Sequence, residues 1–331
     1  MLVIAALTLC SVVILVIFAI RKYLKSRIGK YESDCDLKGK VVVITGANTG
    51  IGEAVAKDFA KREAKVIIAC RSLERGKAAA DKITEITGNK NVLAKECDLA
   101  SLKSVRNFVD DFLNSEERLD ILICNAGIGG VFGRNLTEDG IEIQFQTNHL
   151  GHFLMVNLLL DILKKSSPAR IIITSSSANR FGKLDIGNIV RFDKYISHPF
   201  FAYCDTKLAN LLFMKELAAR LQGTGVVVNA MHPGAVNTNM IKHNAVWYFK
   251  LILKFLCFMQ CRSIEDGAQT IVFLGASREA EHVSGKYFFD CKPCNYNPSA
   301  DDSILAKKLW NVSEELCGLS QKDFKCSQKL T

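Results

Sequence analysis

Tyr203 and Lys207 are four residues apart and have side chains suited to proton transfer. On a helix this spacing places both on one face. A cationic Lys207 would stabilise the phenolate of Tyr203 and lower a phenol pKa that is about 10 in water. A tyrosine that exchanges its proton near neutral pH is a general acid and base. Any amphipathic helix can carry the same two residues, so the pair alone does not identify a site.

A run of three serines, Ser175, Ser176 and Ser177, directly follows the apolar segment Arg170–Thr174. A hydroxyl at this place can hold a substrate oxygen while Tyr203 exchanges the proton. The residues alone leave open which of the three serines does so.

A glycine cluster, Gly46-x-x-x-Gly50-x-Gly52, follows the apolar run Val41–Thr45 and precedes a helical pattern. Glycines at such a turn allow the backbone to approach a pyrophosphate, whose charge is favoured at a helix N-terminus. A plain turn between strand and helix is the alternative.

The next apolar run ends at Cys70-Arg71, where an NAD site would offer a carboxylate, and Arg71 can instead pair with a 2′-phosphate. This favours NADP(H), although Arg71 can also be a solvated surface residue.

Short β-branched runs alternate with helical patterns from Lys40 onward, which predicts a parallel sheet covered by helices on both faces. The expected fold is therefore α/β, a doubly wound Rossmann-type sheet of about seven strands in a single domain. The predicted strands are Val41–Thr45, Val66–Cys70, Val92–Cys97, Leu119–Asn125, Arg170–Thr174, Val226–His232 and Gly285–Phe289.

The first residues form an apolar segment. Leu2–Ile20 are nineteen uncharged residues, and at about 1.5 Å per residue such a helix approaches the ~30 Å hydrocarbon core of a bilayer. Basic residues follow it between Arg21 and Lys30, which favours a retained anchor over a cleaved signal peptide. The positive-inside rule then places the following domain in the cytosol, so the sequons at Asn135 and Asn311 are expected to stay bare.

Composition excludes several classes of protein. The formal net charge is +9, but part of it lies in the basic run after the apolar segment, and no nucleic-acid-binding motif is present. Twelve cysteines are scattered, several inside apolar runs, and they are expected to be reduced. Cys291 and Cys294 form a lone C-x-x-C, for which a zinc or redox role is a minority interpretation. His149 and His152 are expected to be packing residues rather than ligands, and no metal is required.

Taken in order, these motifs resemble those of the short-chain dehydrogenase/reductase family, over about Lys40 to Asp290. Thr45 to Gly52 resembles its glycine motif, and Asn125-Ala126-Gly127 resembles its N-A-G turn. The resemblance selects Ser176 from the serine run. It assigns catalytic roles to Asn148, Ser176, Tyr203 and Lys207. The expected cofactor contacts are Gly46, Asn48, Thr49, Gly50, Ile51, Gly52, Arg71, Asp98, Leu99, Asn125, Ala126, Gly127, Tyr203, Lys207, Pro233, Gly234, Val236 and Thr238.

Two of these residues have ordinary structural alternatives. The resemblance implies that Asn148 binds a water that connects Lys207 to solvent, whereas a buried amide that satisfies backbone groups is the alternative. Asp98 is expected to accept from the adenine amino group, although an aspartate at a strand end is also a common helix cap.

Within the family, Cys70-Arg71, Asn148 to Phe153 and Ser263 to Thr270 most resemble the membrane-bound retinol dehydrogenases. This implies NADP(H)-dependent conversion between retinal and retinol, or between related lipid aldehydes and alcohols, at the endoplasmic reticulum membrane. A steroid or fatty-alcohol dehydrogenase is the alternative enzyme, and a catalytically silent membrane-tethered NADP-binding scaffold is the alternative of another class. The expected partners are a small lipophilic substrate and membrane lipid, without nucleic acid or metal, and a homodimer is possible.

The expected organisation is an anchor over 1–21, a basic juxtamembrane linker over 22–38, a catalytic domain over 39–318 and a polar tail over 319–331. A substrate lid is expected at about 236–262. Inside it, Ala245–Gln260 is apolar but carries Lys250 and Lys254 on one face, with Lys242 in register. That pattern predicts a helix in the membrane interface, and an ordinary core-packing helix is the alternative.

Overall fold

The computed structural model describes residues 2–32, 35–131, 133, 135–188, 199–236, 258 and 262–319. The predicted cofactor contact Thr238 lies outside these residues. So do the predicted interfacial helix apart from Phe258, most of the predicted lid and nearly all of the predicted tail.

The described chain contains one eight-stranded sheet with the order β3-β2-β1-β4-β5-β6-β7-β8. Each pair is parallel except β7 with β8, which is antiparallel. The strands are β1 (Val41–Thr45), β2 (Lys65–Cys70), β3 (Val92–Glu96), β4 (Ile121–Cys124), β5 (Ala169–Thr174), β6 (Val226–Met231), β7 (Tyr287–Phe289) and β8 (Lys292–Pro293).

The seven predicted strands are all present, and β8 is an additional one. It has only two residues, one of them Pro293, so the sequence offers no alternating pattern from which it could be predicted. It exists because the chain turns back directly after β7 and pairs Phe289 with Lys292.

Helices cover both faces of the sheet, as predicted for a doubly wound fold. The described α-helices are α1 (Leu2–Ser26), α2 (Gly50–Lys61), α3 (Leu73–Thr87), α4 (Leu102–Ser115), α5 (Ile143–Phe145), α6 (Gly151–Leu158), α7 (Leu160–Lys165), α8 (Pro199–Arg220), α9 (Ile264–Ala276) and α10 (Ser303–Leu316). A π-helical turn, Gln146–Leu150, joins α5 to α6.

The two core clusters follow from the alternation of side chains along each strand. In β1, Val41 and Val43 pack with the cluster that contains Phe153 and Trp310. Val42 and Ile44 point to the other face and pack with the cluster that contains Phe59. Each face of the sheet is therefore buried, which explains why the strands are apolar runs rather than alternating ones.

The strand order reverses direction between β1 and β4, because the chain winds outward from β1 to β3 and then crosses back to β4. Parallel strands point their carboxyl ends to one edge of the sheet. At such a switch point the loops that follow neighbouring strands separate and leave a crevice, where ligands bind in open α/β sheets.

The N-terminal helix α1 extends beyond the predicted anchor into the predicted linker. The structure does not describe several of its side chains, including those of residues 2–7. Among the residues that the structure describes, no helix is found that is both long enough and apolar enough to cross a membrane.

The second half of the predicted linker packs against the catalytic domain. Tyr31 donates its backbone N–H to Gln269 Oε1 at 2.9 Å, and its ring meets that of Phe273 edge-on. Leu37 is buried and donates its N–H to the carbonyl of Arg62 at 2.8 Å. This part of the linker is therefore an element of the folded domain.

Candidate active site

A cavity of about 850 Å³ opens at the carboxyl edge of the sheet, at the switch point. It brings together most of the residues that the sequence predicts for the site. Those that line it are Gly46, Asn48, Thr49, Gly50, Ile51, Gly52, Arg71, Asp98, Leu99, Asn125, Ala126, Gly127, Ser176, Tyr203, Lys207, Pro233, Gly234 and Val236.

The glycine turn between β1 and α2 forms one wall of the cavity. Gly46 and Gly50 have φ of 67° and 64°, in the left-handed region that favours glycine. Helix α2 begins at Gly50, and the Thr49 side chain makes no cap hydrogen bond to it. Backbone N–H groups at the positive end of a helix dipole therefore face the cavity, an arrangement that would favour a ligand phosphate.

The N-A-G turn is fixed to the glycine turn by a compact set of hydrogen bonds around Thr45. Its hydroxyl oxygen accepts from the backbone N–H of Asn125 at 2.9 Å and of Ala126 at 3.0 Å. In return, the Asn125 amide donates to the Thr45 carbonyl at 2.9 Å. These bonds hold the ends of β1 and β4 in register, so the two turns form one continuous wall.

Two arginines line the cavity beyond β2. Arg71 follows the strand, and Arg75 lies in the first turn of α3, where its backbone N–H donates to the N-cap Ser72. Both side chains are exposed. Sequence reasoning found Arg71 and missed Arg75. Arg71 precedes α3, so helical spacing does not pair the two residues, and only the fold places Arg75 on the same cavity.

Asp98 lines the cavity and also shapes its own loop. Its carboxylate accepts from the Ala100 N–H at 3.0 Å, while its own N–H donates to Ser104 Oγ at 2.9 Å. The N-cap of α4 is Ser101 rather than Asp98. Asp98 is therefore a loop residue that faces the cavity. It does not cap α4, because Ser101 occupies the N-cap position.

The three serines after β5 have different environments, which selects among them. Ser175 is buried and donates to the Lys207 carbonyl at 2.8 Å. Ser177 is exposed. Only Ser176 is hydrogen-bonded to the Tyr203 side chain. The serine that the family resemblance selects is thus the one that lies beside the tyrosine.

The ionisation of Tyr203 differs from the expectation. Burial raises the pKa of its hydroxyl to about 12, and the hydrogen bond to Ser176 offsets only part of this effect. Burial also lowers the pKa of Lys207, to about 8. Its ammonium donates to the Thr174 carbonyl at 3.1 Å and lies 5.5 Å from the centre of the Tyr203 ring. At neutral pH the pair is therefore a protonated phenol beside a largely protonated amine.

Asn148 lies behind the cavity wall rather than on it. It occupies the π-helical turn, is fully buried, and its Oδ1 accepts from the Ile128 N–H at 2.8 Å. Its Nδ2 donates to the Ile128 carbonyl at 2.9 Å and to Thr206 Oγ1 at 3.0 Å. These are the contacts of the structural alternative, a buried amide that satisfies backbone groups. The predicted water contact remains a prediction.

Further lining residues were not predicted from the sequence. Most of them lie directly beside a predicted motif, which is the signal that could have found them. They are Ala69, Cys70, Ser72, Arg75, Cys97, Ile128, Gly129, Gly130, Thr147, Thr174, Ser175, Ser177, Ala178, Arg180, Phe181, Phe200, His232, Ala235, Phe289 and Cys294. Several of these are aromatic or aliphatic, so part of the cavity wall is apolar.

The histidines and cysteines fit the structural roles expected for them. His149 and His152 are buried, and burial lowers their pKa values to about 3 and about 4. The described cysteines are free thiols, and burial raises the pKa values of Cys291 and Cys294 to about 11. Within the described ranges, no group of three or more His, Cys, Asp or Glu residues is placed to hold a metal ion.

Comparison with known proteins gives the family. The family model described as "short chain dehydrogenase" matches residues 40–248. The chain belongs to the short-chain dehydrogenase family. It is 44% identical to retinol dehydrogenase 12 of Bos taurus, over 91% of this chain and 93% of that protein. It is 41% identical to retinol dehydrogenase 11 of Mus musculus, over 95% and 96% of the two chains.

Among solved structures, the chain is similar to the 3-ketoacyl-(acyl-carrier-protein) reductase of Brucella melitensis, determined in complex with NADH. The TM-score is 0.58 at 26% identity, with 76% of this chain and 97% of that chain covered. This member of the short-chain dehydrogenase family is an oxidoreductase of CH–OH groups with a nicotinamide cofactor, and the cavity at the switch point is its candidate active site.

Proposed function

We propose that this enzyme uses NADP(H) to interconvert a lipophilic alcohol and its aldehyde or ketone, with retinal and retinol or related lipid compounds as substrates. The observation that carries the proposal is the position of Ser176, Tyr203 and Lys207. They line one cavity, together with a phosphate-binding turn and an apolar wall.

The cavity fits a dinucleotide in its shape and charge. The glycine turn offers a helix N-terminus to the pyrophosphate, and Arg71 and Arg75 offer two cations to a 2′-phosphate. Pro233 and Gly234 line the same cavity as Tyr203 and Lys207, and the family resemblance implies that this turn contacts the nicotinamide end of the dinucleotide. When bound, NADP(H) supplies or accepts the hydride in the reaction.

The protein's own side chains orient the substrate and donate a proton to its oxygen. Ser176 holds the substrate oxygen next to Tyr203, since the two side chains are already hydrogen-bonded to each other. Tyr203 is protonated at neutral pH and donates its phenolic proton to that oxygen during reduction. The Lys207 ammonium offsets the negative charge that then develops on the phenolate.

The substrate class is proposed from the apolar wall and from the relatives. Ile128, Phe181, Phe200 and Phe289 line the same cavity as the serine and the tyrosine. Such side chains favour a long apolar molecule with one reacting oxygen. The similar mammalian proteins carry the name retinol dehydrogenase. A steroid or fatty alcohol is the second candidate substrate class, because its shape also suits this wall.

A panel of carbonyl substrates tests the proposal. The full chain in detergent is supplied with NADPH or NADH and with all-trans-retinal, a medium-chain aldehyde, a ketosteroid or a small water-soluble aldehyde. We expect NADPH to be consumed fastest with the lipophilic aldehydes. Preference for the small aldehyde would refute the proposed substrate class, and a steroid preference would select the second candidate.

The preference for NADP(H) is tested at the two arginines. Arg71→Ala removes a charge-assisted phosphate contact worth about 1.5–3 kcal/mol, so NADPH affinity should fall roughly ten- to a hundredfold while NADH affinity is spared. The Arg71→Ala/Arg75→Ala double variant should lose more than either single variant. Binding is measured by titration of both cofactors.

A matched control lies on the same helix. Lys77 is exposed on α3 but does not line the cavity, so Lys77→Ala should leave both affinities unchanged. Equal losses of NADPH and NADH affinity in the arginine variants would show that they do not read the 2′-phosphate.

A membrane anchor is the proposed role of the N-terminal segment. Helix α1 covers the uncharged stretch Leu2–Ile20, and basic residues follow on its C-terminal side. That charge distribution supports a cytosolic catalytic domain on a single-pass anchor, with the endoplasmic reticulum as the proposed membrane. Cys70, Cys97 and Cys124 are buried free thiols, which suits a reducing compartment.

Protease protection tests this topology. In sealed microsomes, added protease should degrade the catalytic domain while lumenal marker proteins survive, and the sequons at Asn135 and Asn311 should carry no glycan. Detergent provides the control, because it should expose the lumenal markers as well. A protected, glycosylated domain would reverse the proposed orientation.

A further inference from the structure

A partly buried ion pair joins two segments that sequence motifs do not connect. Both guanidinium NH2 groups of Arg262 donate to the Asp290 carboxylate, with Nη1–Oδ1 and Nη2–Oδ2 distances of 2.7 Å. The side chains are only 7% and 19% exposed. Breaking such a pair by removing one partner is costly, because the remaining charge stays buried without compensation.

Arg262 also lies directly on the turn after β6. A Cβ added at Gly234 would come within 2.6 Å of Arg262 Cδ and Nε, so the arginine stem fills the space that a side chain would need. The backbone of Arg262 forms a parallel bridge with Val236. Gly234 and Val236 line the cavity, and Arg262 itself is behind them. The arginine therefore supports this wall of the cavity from the back.

Phe289 links the same arginine to His232. The guanidinium carbon of Arg262 lies 4.5 Å from the centre of the Phe289 ring, and the His232 ring stacks on Phe289 at 4.1 Å with an interplanar angle of 7°. His232 Nδ1 accepts from the Gly234 N–H at 3.2 Å, which requires that nitrogen to be unprotonated. Burial lowers the pKa of His232 to about 4, so the ring is neutral near pH 7.

Asp290 lies in a tight hairpin turn. It and Cys291 form the turn between β7 and β8, with φ of 51° and 60°, a region that residues other than glycine seldom occupy. The linker supports this turn, since a Cβ on Gly29 would come within 2.3 Å of the Asp290 carbonyl oxygen. Positive φ at both residues is what a two-residue hairpin turn requires, so the hairpin and the linker together fix the place of Asp290.

We propose that the Arg262–Asp290 pair is a positioning device for the wall formed by Pro233, Gly234 and Val236, and that it sets where the nicotinamide end of the cofactor lies relative to Tyr203. This inference rests on the proposed function. It gives neither residue a contact with the substrate. Both act through the turn after β6.

Binding of two ligands tests the two ends of the cofactor site independently. Adenosine 2′,5′-bisphosphate carries the 2′-phosphate but no nicotinamide, whereas NADP⁺ carries both. Arg262→Leu should weaken NADP⁺ binding about tenfold and leave the adenosine bisphosphate unchanged. Turnover should fall about a hundredfold, because a misplacement of about 1 Å at the reacting centre has an effect of that order.

Further variants keep the test independent of a folding defect. Arg262→Lys retains the charge and most of the stem but not the two parallel hydrogen bonds, so its losses should be smaller than those of Arg262→Leu. If the two residues act as one unit, the Arg262→Leu/Asp290→Leu double variant should be no worse than the more damaging single variant.

Arg118, whose side chain is 46% exposed, provides an ion-pair control at the opposite edge of the sheet. It pairs with Asp120 through two hydrogen bonds, of 2.8 Å and 2.6 Å, just before β4 begins. Arg118→Leu should change neither ligand affinity nor turnover.

The outcomes distinguish this inference from the proposed function. Equal weakening of both ligands by Arg262→Leu, or additive losses in the double variant, would overturn the positioning role. Wild-type protein that binds neither ligand would instead contradict the proposed NADP(H) dependence.

Discussion

Tyr203→Phe is expected to lower turnover at least ~10²-fold, and as much as ~10⁴-fold, while cofactor binding survives. The substitution keeps the aromatic ring and its packing but removes the hydroxyl that is hydrogen-bonded to Ser176. No other side chain is proposed to give its proton to the substrate oxygen. The measurement is single-turnover reduction of retinal with saturating NADPH, which isolates chemistry from product release.

Tyr296→Phe is the matched control for this variant. The Tyr296 hydroxyl accepts from Lys215 at 2.6 Å and donates to Asp301 at 2.8 Å, and the residue does not line the cavity. Its loss should leave turnover within about twofold of wild type. Retention of more than about a tenth of wild-type single-turnover rate by Tyr203→Phe would end the assignment of Tyr203 as the acid.

Lys207→Met is expected to lower turnover by about a hundredfold and to weaken the cofactor as well. The methionine fills similar space but leaves the phenolate of Tyr203 without its neighbouring cation. Wild-type reduction should also decline as pH rises through about 8, since burial lowers the pKa of Lys207 to about 8 and the amine is neutral above it. The pKa of Tyr203 is raised to about 12, so the tyrosine is not the group that titrates there.

Two variants separate charge from packing in this prediction. Lys207→Arg keeps a cation at all relevant pH values, so any activity that it retains should not decline near pH 8. Lys215→Met, eight residues along the same helix α8, is the control and should leave the profile unchanged. An unaltered alkaline decline in Lys207→Arg would assign the titration to another group.

Much of the scaffold can be predicted from the sequence because its signals are local. The strands β1, β2 and β5 are β-branched runs buried on both faces, and their predicted bounds match within one residue. The glycine turn is equally local, since Gly46 and Gly50 adopt positive φ values in a short segment between a strand and a helix. Patterns of this kind need no information about distant parts of the chain.

Properties that depend on burial or on distant contacts could not be predicted in this way. The pKa of Tyr203 rises rather than falls, because desolvation outweighs the other influences on the phenol. Asn148 has the residue type that the family uses, yet its described partners are Ile128 and Thr206. Arg75 has no motif of its own, and it becomes a candidate only when the fold places it beside Arg71.

The Arg262–Asp290 pair illustrates the same limit at longer range. Arg262 precedes α9, and Asp290 follows β7, so their contact depends on the packing of several elements. Nothing in the separation of the two residues in the sequence indicates an ion pair. The contact of Gly29 with Asp290 likewise requires that the linker pack against the domain, although the charge pattern predicts only a basic tether.

The scaffold alternative makes a different prediction about the wild-type protein. A silent NADP-binding scaffold would bind the dinucleotide without turnover, whereas an enzyme must also place an acid beside a substrate site. Ser176, Tyr203 and Lys207 lie together on one cavity with an apolar wall, which favours the enzyme. Only a direct measurement of chemistry separates the two.

That measurement is the stoichiometric conversion of all-trans-retinal to retinol by the purified full chain with NADPH, with Tyr203→Phe assayed beside it at equal cofactor saturation. The account predicts one retinol formed for each NADPH consumed by the wild type, and a rate at least ~10²-fold lower for the variant. Wild-type protein that binds NADPH but converts neither retinal nor any other lipophilic carbonyl, or a variant as fast as wild type, would contradict it.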